Sequence, residues 1–295
     1  MPASSDPQRV LITGCSSGFG RLTAIALAAA GHRVFATMRG STGKNAAAAE
    51  ELGADERITV LDLDVTDDAS VSQALGAALE AAGGLDVVIN NAGVAGLGFL
   101  EGYTAGRIRD LFEVNVFGAQ RLCRAILPHF RAAGRGLIIF VSSSMGRVVI
   151  PCAGPYTASK FALEALAESY RYELAPLGVD VSIVQPGTHP TAIGGKMAAW
   201  SNDDPERVAD YGAAAPIPGL VQGSIIEALS SPTPPDSGAV VQALVDIIAS
   251  PAGARPLRVV IDELSGAGVT MINEASAQVQ GMALAGLNLK QLCTS

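Results

Sequence analysis

Thr13-Gly14-Cys15-Ser16-Ser17-Gly18-Phe19-Gly20 is the stretch that decides the fold. It follows a short β-rich run, residues 9–13, and precedes a segment of helical composition, residues 21–30, that stops at Gly31. Glycine adopts positive φ and lets a backbone approach a pyrophosphate, whose charge is met by the amides at the start of a helix. With 33 glycines in the chain this spacing also arises by chance, so its place between a strand and a helix is what favours a dinucleotide site.

Six further apolar runs have the composition of strands: residues 33–37, 58–63, 85–90, 136–142, 179–185 and 257–261. Segments of helical period or composition lie between them, at residues 46–52, 69–82, 107–133, 157–177 and 238–249. Strict alternation of strand and helix is typical of an α/β protein with one doubly wound parallel sheet. We predict a seven-stranded sheet in a single domain over residues 1–295, with a flexible N-terminus at residues 1–8.

The one shift in composition is the stretch 186–237, which is rich in proline, glycine and alanine. It follows the sixth strand, and ligands of doubly wound sheets bind beyond the carboxyl ends of the strands. An insertion at that place is positioned to cover a substrate. We therefore predict a substrate loop or lid at residues 188–237.

Composition excludes several classes of function. Of the 295 residues, 49% are hydrophobic and 16% are charged, which suits a large buried core. The net charge of −8 leaves no broad cationic face for nucleic acid or anionic lipid. Every apolar run is shorter than about 18 residues and the first residues are polar, so we expect no membrane span, no signal peptide and a cytoplasmic location.

The four cysteines, Cys15, Cys123, Cys152 and Cys293, are far apart in the sequence. None belongs to a C-x-x-C pair, the spacing that is typical of zinc sites, and they suggest no disulfide framework. We expect reduced thiols and no metal.

The end of the second strand indicates which dinucleotide binds. NAD-binding folds usually carry an acidic residue there, which accepts hydrogen bonds from the ribose hydroxyls. Here Met38 and then Arg39 follow the strand. A guanidinium grips a 2′-phosphate through two parallel hydrogen bonds, so the sequence favours NADP(H) over NAD(H), although a single arginine also permits mixed use.

Tyr156 and Lys160 lie four residues apart at the start of a helical segment and therefore share one helical face. An ammonium beside a phenol favours phenolate and lowers the phenol's pKa from its ordinary value of about 10, which suits acid–base work. Five tyrosines and four lysines give about 0.07 such pairs by chance in a chain of this length. The alternative, an ordinary pair on a helix surface, is correspondingly weak.

Ser143 ends the fifth strand, thirteen residues before Tyr156, where its hydroxyl is able to point into the crevice above the sheet. The neighbouring Ser142 and Ser144 compete for this role. Side chains alternate faces along a strand, so both neighbours should point away from the side that Ser143 faces.

These motifs resemble those of the short-chain dehydrogenase/reductase family over residues 10–191. Residues 13–20 are similar to its T-G-x-x-x-G-x-G turn, residues 90–93 to its N-N-A-G motif, and Asn115 to its helical active-site asparagine. The resemblance implies a Rossmann fold and a catalytic tetrad, completed by Ser143, Tyr156 and Lys160.

The chemistry that the resemblance implies is hydride transfer between a nicotinamide and a carbonyl carbon. Tyr156 would move the hydroxyl proton, and Ser143 would hold the substrate oxygen. Lys160 would also bind the nicotinamide ribose, and Asn115 would hold a water in the proton path through its backbone geometry.

The resemblance also assigns cofactor-binding residues, with Asp64 and Val65 at the adenine and the turn after residue 185 at the nicotinamide. The set comprises Gly14, Ser16, Ser17, Gly18, Phe19, Gly20, Arg39, Asp64, Val65, Asn91, Ala92, Gly93, Tyr156, Lys160, Pro186, Gly187, Thr188 and Thr191. Other interpretations stay open: Asp64 as strand patterning, Asn115 as a helix residue satisfied by backbone, and residues 186–187 as a plain turn.

Two other functions compete with this interpretation. An extended-type epimerase or dehydratase also uses a Tyr/Lys pair, but its turn resembles T-G-x-x-G-x-x-G, which is not the spacing here. A redox-sensing or regulatory protein would bind the dinucleotide without turnover, yet such proteins commonly lack part of the tetrad, which is complete here.

The expected substrate pocket is almost wholly apolar, which favours a hydrophobic ketone or secondary alcohol. Its wall comprises residues 94–99, Met145, residues 149–152, Pro155, Met197 and Trp200. The sequence at residues 36–39 and 156–165 resembles the hydroxysteroid and retinol dehydrogenase branch. Arg147, near the entrance, is the one cation expected to recognise an acidic group, and His189 is the one histidine expected near the cleft.

The helical segments 107–133 and 157–177 carry apolar residues beyond a single inward stripe: Phe117, Leu122, Phe161 and Leu166. We therefore predict a homodimer or homotetramer joined through these segments. The alternative is that these residues pack on the sheet of a monomer.

Overall fold

The protein, seen in a computed structural model, is described over residues 6–191 and 197–292. Within these residues one sheet contains β1 (Arg9–Ile12), β2 (Arg33–Met38), β3 (Ile58–Asp62), β4 (Val87–Asn90), β5 (Gly136–Val141), β6 (Val179–Pro186) and β7 (Arg258–Ile261). The strand order is β3-β2-β1-β4-β5-β6-β7, and all neighbours pair in parallel. The doubly wound, seven-stranded Rossmann-type sheet expected from the sequence is confirmed.

The helices of the described residues are α1 (Gly18–Ala29), α2 (Ala46–Gly53), α3 (Asp68–Ala82), α4 (Ala105–Phe112), α5 (Gly118–Ala133), α6 (Gly154–Leu174), α7 (Ile217–Leu229), α8 (Ser237–Ala249) and α9 (Gly266–Gly286). Local chemistry sets their ends, as α3 illustrates. The Asp67 carboxylate accepts hydrogen bonds from the first free amides, at Ala69 and Ser70. Gly83, with φ +66°, ends the helix in the left-handed conformation that glycine tolerates.

Helices cover both faces of the sheet, which is why its strands are continuous apolar runs. Leu11, Phe35 and Ile138 pack in one core cluster with residues of α3, α5 and α6. The intervening strand residues pack in the other cluster with α1, α2 and α8. The carboxyl ends of all strands therefore meet at one edge, where an α/β sheet binds its ligands.

The sequence predicts one helix over residues 107–133, and the structure differs. A π-helical turn, Glu113–Phe117, separates α4 from α5. Such a turn, whose hydrogen bonds join residues five apart, is frequent at functional sites. Directly after it α5 approaches the loop that follows β3, since a Cβ at Gly118 would lie 2.8 Å from Val65 Cβ.

Two helices have no counterpart in the sequence prediction. In α7, Pro218, Gly219 and Gly223 interrupt the pattern of residues that predicts a helix. Proline is nevertheless tolerated in the first turn of a helix. In α9 only Gly266 and Val269 are buried, so the segment has almost no inward apolar stripe. Residues 1–5 of the expected flexible N-terminus and residues 192–196 of the expected lid lie outside the described residues.

Candidate functional site

A cavity of about 590 Å³ opens at the carboxyl ends of the strands. Its wall includes the glycine turn, the ends of β2, β4 and β5, the start of α6 and the turn after β6. The expected cofactor residues that line it are Gly14, Ser16, Ser17, Gly18, Phe19, Arg39, Asp64, Val65, Asn91, Ala92, Gly93, Tyr156, Lys160, Pro186, Gly187, Thr188 and Thr191. Gly20 is the exception, and is buried behind the turn.

The glycine turn needs its glycines because it packs against the turn after β4. Gly14 has φ +76°, and a Cβ there would lie 2.9 Å from Ala92 Cα. A Cβ at Gly20 would overlap the side-chain amide of Asn91. Thr13 Oγ1 accepts hydrogen bonds from the backbone amides of Asn91 at 3.1 Å and Ala92 at 3.0 Å. The resulting cradle, with the start of α1 in its wall, fits the pyrophosphate of a dinucleotide.

The end of β5 and the start of α6 bring Ser143, Tyr156 and Lys160 together in the cavity wall. The Ser143 side chain lies beside the Tyr156 phenol, and its hydroxyl accepts a hydrogen bond from Met145 N at 3.2 Å. Lys160 Nζ donates to Val141 O at 2.9 Å and lies 5.8 Å from the centre of the Tyr156 ring. This arrangement is able to bind a carbonyl oxygen and give it a proton.

The three consecutive serines have different surroundings. Ser142 Oγ donates to Glu164 Oε1 at 2.9 Å. Ser144 is buried and begins a short 3-10 turn. Ser143 is the serine of the three whose side chain influences the Tyr156 phenol, which favours it for the expected role.

Burial governs the protonation of the tyrosine and the lysine. It raises the pKa of Tyr156 above its ordinary value, and the neighbouring Ser143 side chain opposes this rise only in part. It lowers the pKa of Lys160 to about 8, against the opposing charge of Glu164. The sequence predicts a lowered pKa for the phenol, and the structure gives a raised one, because desolvation of the phenolate dominates.

Asn115 lies in the π-helical turn and does not line the cavity. Its side-chain amide donates to Val94 O at 2.8 Å and Ser159 Oγ at 3.0 Å, and its Oδ1 accepts from Val94 N at 2.8 Å. Ser159 Oγ donates in turn to Tyr156 O at 2.6 Å. Asn115 thus ties the loop after β4 to the first turn of α6, and its expected role in holding a water stays a prediction.

Two basic side chains, Arg39 and Lys44, line the end of the cavity beyond β2. Arg39 Nη1 lies 3.6 Å from Asp64 Oδ2, and its side chain stays 46% exposed. Burial works to raise the pKa of Asp64, but hydrogen bonds from Thr66 and the charge of Arg39 hold that pKa below its ordinary value. Sequence reasoning missed Lys44, which lies in an irregular loop where no periodic pattern assigns it a direction.

The opposite end of the cavity is largely apolar, as expected. It is lined by Val94, Ala95, Gly96, Leu97, Met145, Val148, Ile150, Ala153, Met197, Trp200, Ile225, Leu229 and Leu264. Ile225 and Leu229 come from α7, and Leu264 from the segment after β7, neither of which the sequence indicates. The expected wall residues that do not line it are Gly98, Phe99, Val149, Pro151, Cys152 and Pro155. Val149 is exposed, and Phe99 instead packs on Tyr211 with ring centroids 4.0 Å apart.

Arg147 does not stand at the entrance, and the expectation that it recognises an acidic group is wrong. Its side chain is 13% exposed and pairs with Glu164 at 3.5 Å and Glu168 at 3.2 Å. Arg147 Nε also donates to Asn273 Oδ1 at 2.8 Å. The signal for this ion pairing is in the sequence, because Glu164 and Glu168 are four residues apart on one face of α6.

The three histidines differ in their relation to the site. His189 lines the cavity, with its ring centroid 5.7 Å from that of Phe19. His32 accepts a hydrogen bond from Gln8 N, and His129 makes a backbone hydrogen bond at Leu85. Only His189 is therefore at the expected cleft.

Metal, membrane and disulfide features are absent from the part of the chain that the structure describes. Within residues 6–191 and 197–292, no group of histidine, cysteine and acidic side chains is arranged to hold a metal ion. No helix there is both long and apolar enough to cross a membrane. Cys15, Cys123 and Cys152 are free thiols, and Cys293 lies outside the described residues.

Comparison of the sequence with known proteins gives the same assignment as the motifs. The profile of the family described as short chain dehydrogenase matches residues 8–202. The chain is 41% identical to a 3-ketodihydrosphingosine reductase of Bacteroides thetaiotaomicron over 181 residues, which are 61% of this chain and 64% of that protein. It is 40% identical to human retinol dehydrogenase 8 over 212 residues, 68% of this chain and 67% of that protein. The chain thus spans about two thirds of the length of these relatives.

The fold also has solved counterparts. A short-chain dehydrogenase from Streptomyces avermitilis superposes with a TM-score of 0.77 at 31% identity. The superposition covers 96% of this chain and 98% of that one. The similarity therefore extends beyond the motif-bearing part to the segments after residue 202.

Proposed function

The chain belongs to the short-chain dehydrogenase family, and we propose that it is an NADP(H)-dependent oxidoreductase that interconverts a ketone and a secondary alcohol on a hydrophobic substrate. The observation that carries this proposal is the placement of Ser143, Tyr156 and Lys160 together in the wall of a cavity that also contains the glycine turn. Family membership supports an oxidoreductase with a nicotinamide cofactor that acts on alcohol and carbonyl groups.

Each catalytic side chain has a defined part in the proposed reaction. A bound nicotinamide dinucleotide supplies or accepts the hydride at the substrate carbon. Tyr156, whose raised pKa keeps the phenol protonated at neutral pH, gives its proton to the carbonyl oxygen during reduction and accepts the alcohol proton in the reverse direction. Ser143 holds the substrate oxygen, and Lys160 binds the nicotinamide ribose and places a cation beside the Tyr156 ring.

The remaining cofactor contacts follow the order of the cavity wall. We assign the pyrophosphate to the glycine turn, the adenine to Asp64 and Val65, and the nicotinamide to residues 186–188 and Thr191. The exposed guanidinium of Arg39, with Lys44 in the same part of the wall, supports a phosphate on the adenosine ribose. The partial neutralisation of Arg39 by Asp64 is why strict exclusion of NAD(H) is not part of the proposal.

Replacing Arg39 by alanine is expected to raise the KM for NADPH much more than the KM for NADH. A charge-assisted hydrogen bond to phosphate is worth about 1.5–3 kcal/mol, so the preference for NADPH should fall by about 10- to 150-fold. Steady-state kinetics with both cofactors measure this ratio. Arg57→Ala, at an exposed arginine outside the cavity, is the control and should leave the ratio unchanged. An unchanged ratio in Arg39→Ala would show that another group, such as Lys44, reads the phosphate.

The apolar end of the cavity supports a lipophilic substrate. Ile225 and Leu229 of α7 face it, and Leu264, which also lines it, is 72% exposed, so the apolar lining continues to the surface. The position of α7 supports a substrate lid at residues 188–237. The names of two relatives, a 3-ketodihydrosphingosine reductase and a retinol dehydrogenase, support the same substrate class. The cytoplasmic location expected from the sequence stays a prediction.

Turnover tests the proposed function directly. The protein is incubated with NADPH and a panel of ketones of increasing chain length, and loss of NADPH absorbance is followed. We expect turnover that improves with the apolar surface of the ketone. Tight NADPH binding without turnover of any ketone or alcohol would instead favour the alternative, a redox-sensing or regulatory protein.

We also propose a homodimer or homotetramer joined through residues 107–133 and 157–177, which include α5 and most of α6. Phe117 and Phe161 are 46% and 40% exposed, and Leu166 is half-buried, which supports an apolar contact surface there. Leu122 does not contribute, because it is fully buried in the core, contrary to the expectation from the sequence.

Sedimentation at micromolar concentration is expected to give a species of two or four chains of 30.0 kDa. Phe161→Glu should shift it towards the single chain, because a charge on an apolar contact surface is costly to bury. Val149→Glu, at an exposed residue elsewhere, is the control. A wild-type species near the mass of one chain would contradict the assembly and leave the catalytic proposal intact.

A further inference from the structure

We propose that Glu164 is a positioning residue of the site: its buried carboxylate holds the end of β5 beside Ser143 and keeps the ammonium of Lys160 charged. The proposal rests on the proposed function, since it assigns a task to a group that acts through the catalytic side chains.

Glu164 joins the helix that carries the tyrosine and the lysine to two strand ends. Its side chain is 2% exposed and lies one turn after Lys160 on α6, so the two share a helical face. Its Oε1 accepts hydrogen bonds from Ser142 Oγ at 2.9 Å and Gln185 Nε2 at 2.7 Å. Ser142 directly precedes Ser143, and Gln185 is the next-to-last residue of β6. One carboxylate therefore fixes α6 against the edge of the sheet where the cavity opens.

The turn that follows Ser143 packs directly on this carboxylate. A Cβ at Gly146 would lie 2.5 Å from Glu164 Oε1 and 2.9 Å from Ser142 Oγ. These separations leave no room for a side chain, so only glycine lets the turn reach the carboxylate. A change in the position of the carboxylate is therefore passed to the backbone on both sides of Ser143.

Glu164 is one of two carboxylates that pair with the same two arginines. Arg147, from the turn after β5, lies 3.5 Å away, and Arg258, from β7, lies 3.2 Å away. On its own helix the charged groups one turn away are Lys160 and Glu168, and Glu168 pairs with both arginines. The residues that face Glu164 from β5 and β6 are uncharged. Removing the charge of Glu164 leaves Glu168 to pair with both arginines and takes away the negative charge that favours a charged Lys160.

Glu168 provides a matched control within the same cluster. It pairs with the same two arginines, but its further partner is Gln280 of α9 and not a residue of β5 or β6. If the ion pairs only stabilise the fold, replacing either glutamate should have a similar effect on cofactor binding. A positioning role predicts that only Glu164 affects the lysine.

The sign of the expected effect follows from the protonation of Lys160. Burial lowers its pKa to about 8, and the charge of Glu164 opposes this. Only the charged form donates charge-assisted hydrogen bonds to ribose hydroxyls. Cofactor affinity from this contact is therefore present below pH 8 and is lost as the pH rises through that value. Without the carboxylate, the loss begins at lower pH.

The experiment measures the Kd of NADPH, or of NADH if it binds more tightly, by fluorescence between about pH 6 and 10. All proteins carry Tyr156→Phe, which removes the phenol as a competing titrating group. In this background we compare the parent with Glu164→Gln and Glu168→Gln, and circular dichroism verifies the fold of each. For Glu164→Gln we expect the midpoint of affinity loss to shift down by about one pH unit, which weakens binding about fivefold at pH 8. For Glu168→Gln we expect less than about a third of that shift.

Equal midpoints in all three proteins, or equal shifts in the two glutamine variants, would overturn the proposal. A parent that binds neither dinucleotide would overturn the proposed function and this inference together, so the two failures are distinguishable. If Glu164→Gln does not fold, Ser142→Ala in the otherwise unchanged protein replaces it, because it breaks the contact with the carboxylate and leaves every charge in place. The proposal then requires kcat to fall at least about fivefold at constant NADPH KM, and a wild-type kcat would overturn it.

Discussion

Replacing Tyr156 by phenylalanine is expected to lower kcat by at least about two decades, the usual size of an acid–base contribution, while the fold and the Kd of NADPH are retained. The phenol lies beside Ser143 in the cavity wall, and burial raises its pKa, so it is protonated at neutral pH and able to donate a proton. Phenylalanine keeps the shape of the ring and removes the proton. Steady-state rates with the best ketone, a fluorescence titration with NADPH and a thermal melt measure the three quantities.

A second tyrosine provides the control for this substitution. The Tyr103 hydroxyl is also buried, makes no hydrogen bond in the described structure and does not line the cavity. Tyr103→Phe should therefore retain the wild-type kcat. Near-normal turnover in Tyr156→Phe would remove Tyr156 from the chemistry, whereas an equal loss in both variants would point to a general effect of losing a buried hydroxyl.

The sheet could be predicted from the sequence because its signals are local. Each strand is a continuous apolar run, and the turn after β1 carries glycines at positions where φ is positive or the backbone is in close contact. The π-helical turn could not be predicted in the same way. It depends on the approach of α5 to Val65, which is 53 positions before Gly118 in the chain, and on the bonds between Asn115 and Val94. Contacts between distant segments leave no periodic pattern in either segment.

The same distinction between local signals and long-range contacts applies to the candidate site. Ser143, Tyr156 and Lys160 could be found from spacing alone, since a strand end and one helical turn bring them together. The position of Arg147 could not be predicted, because it depends on contacts between distant segments. Ion pairs with two glutamates of α6 and a hydrogen bond with Asn273 of α9 hold its side chain outside the cavity. The same holds for the substrate end of the cavity, where α7 supplies lining residues from a stretch whose composition indicates only a loop.

Replacing Lys160 by alanine is expected to weaken NADPH binding and to lower kcat together, because two tasks depend on one ammonium. Loss of charge-assisted hydrogen bonds to the ribose should raise the Kd of NADPH by about 10- to 150-fold, the equivalent of about 1.5–3 kcal/mol. Loss of the cation beside Tyr156 should lower kcat by about two decades at saturating cofactor. Equilibrium titration and steady-state kinetics separate the two effects, and Lys290→Ala, at an exposed lysine far along the chain, is the control.

Each partial outcome has its own meaning for Lys160. A lower kcat at an unchanged Kd would show that the ribose contact is wrong, and a higher Kd at an unchanged kcat would separate the lysine from the proton step. The substitution also removes the hydrogen bond from Lys160 Nζ to Val141 O, two residues before Ser143, at a cost of about 1 kcal/mol of stability. A thermal melt measures that cost independently. Because the lost bond anchors the end of β5, a melt close to that of the wild type is what assigns the kinetic losses to the missing charge and not to a displaced serine.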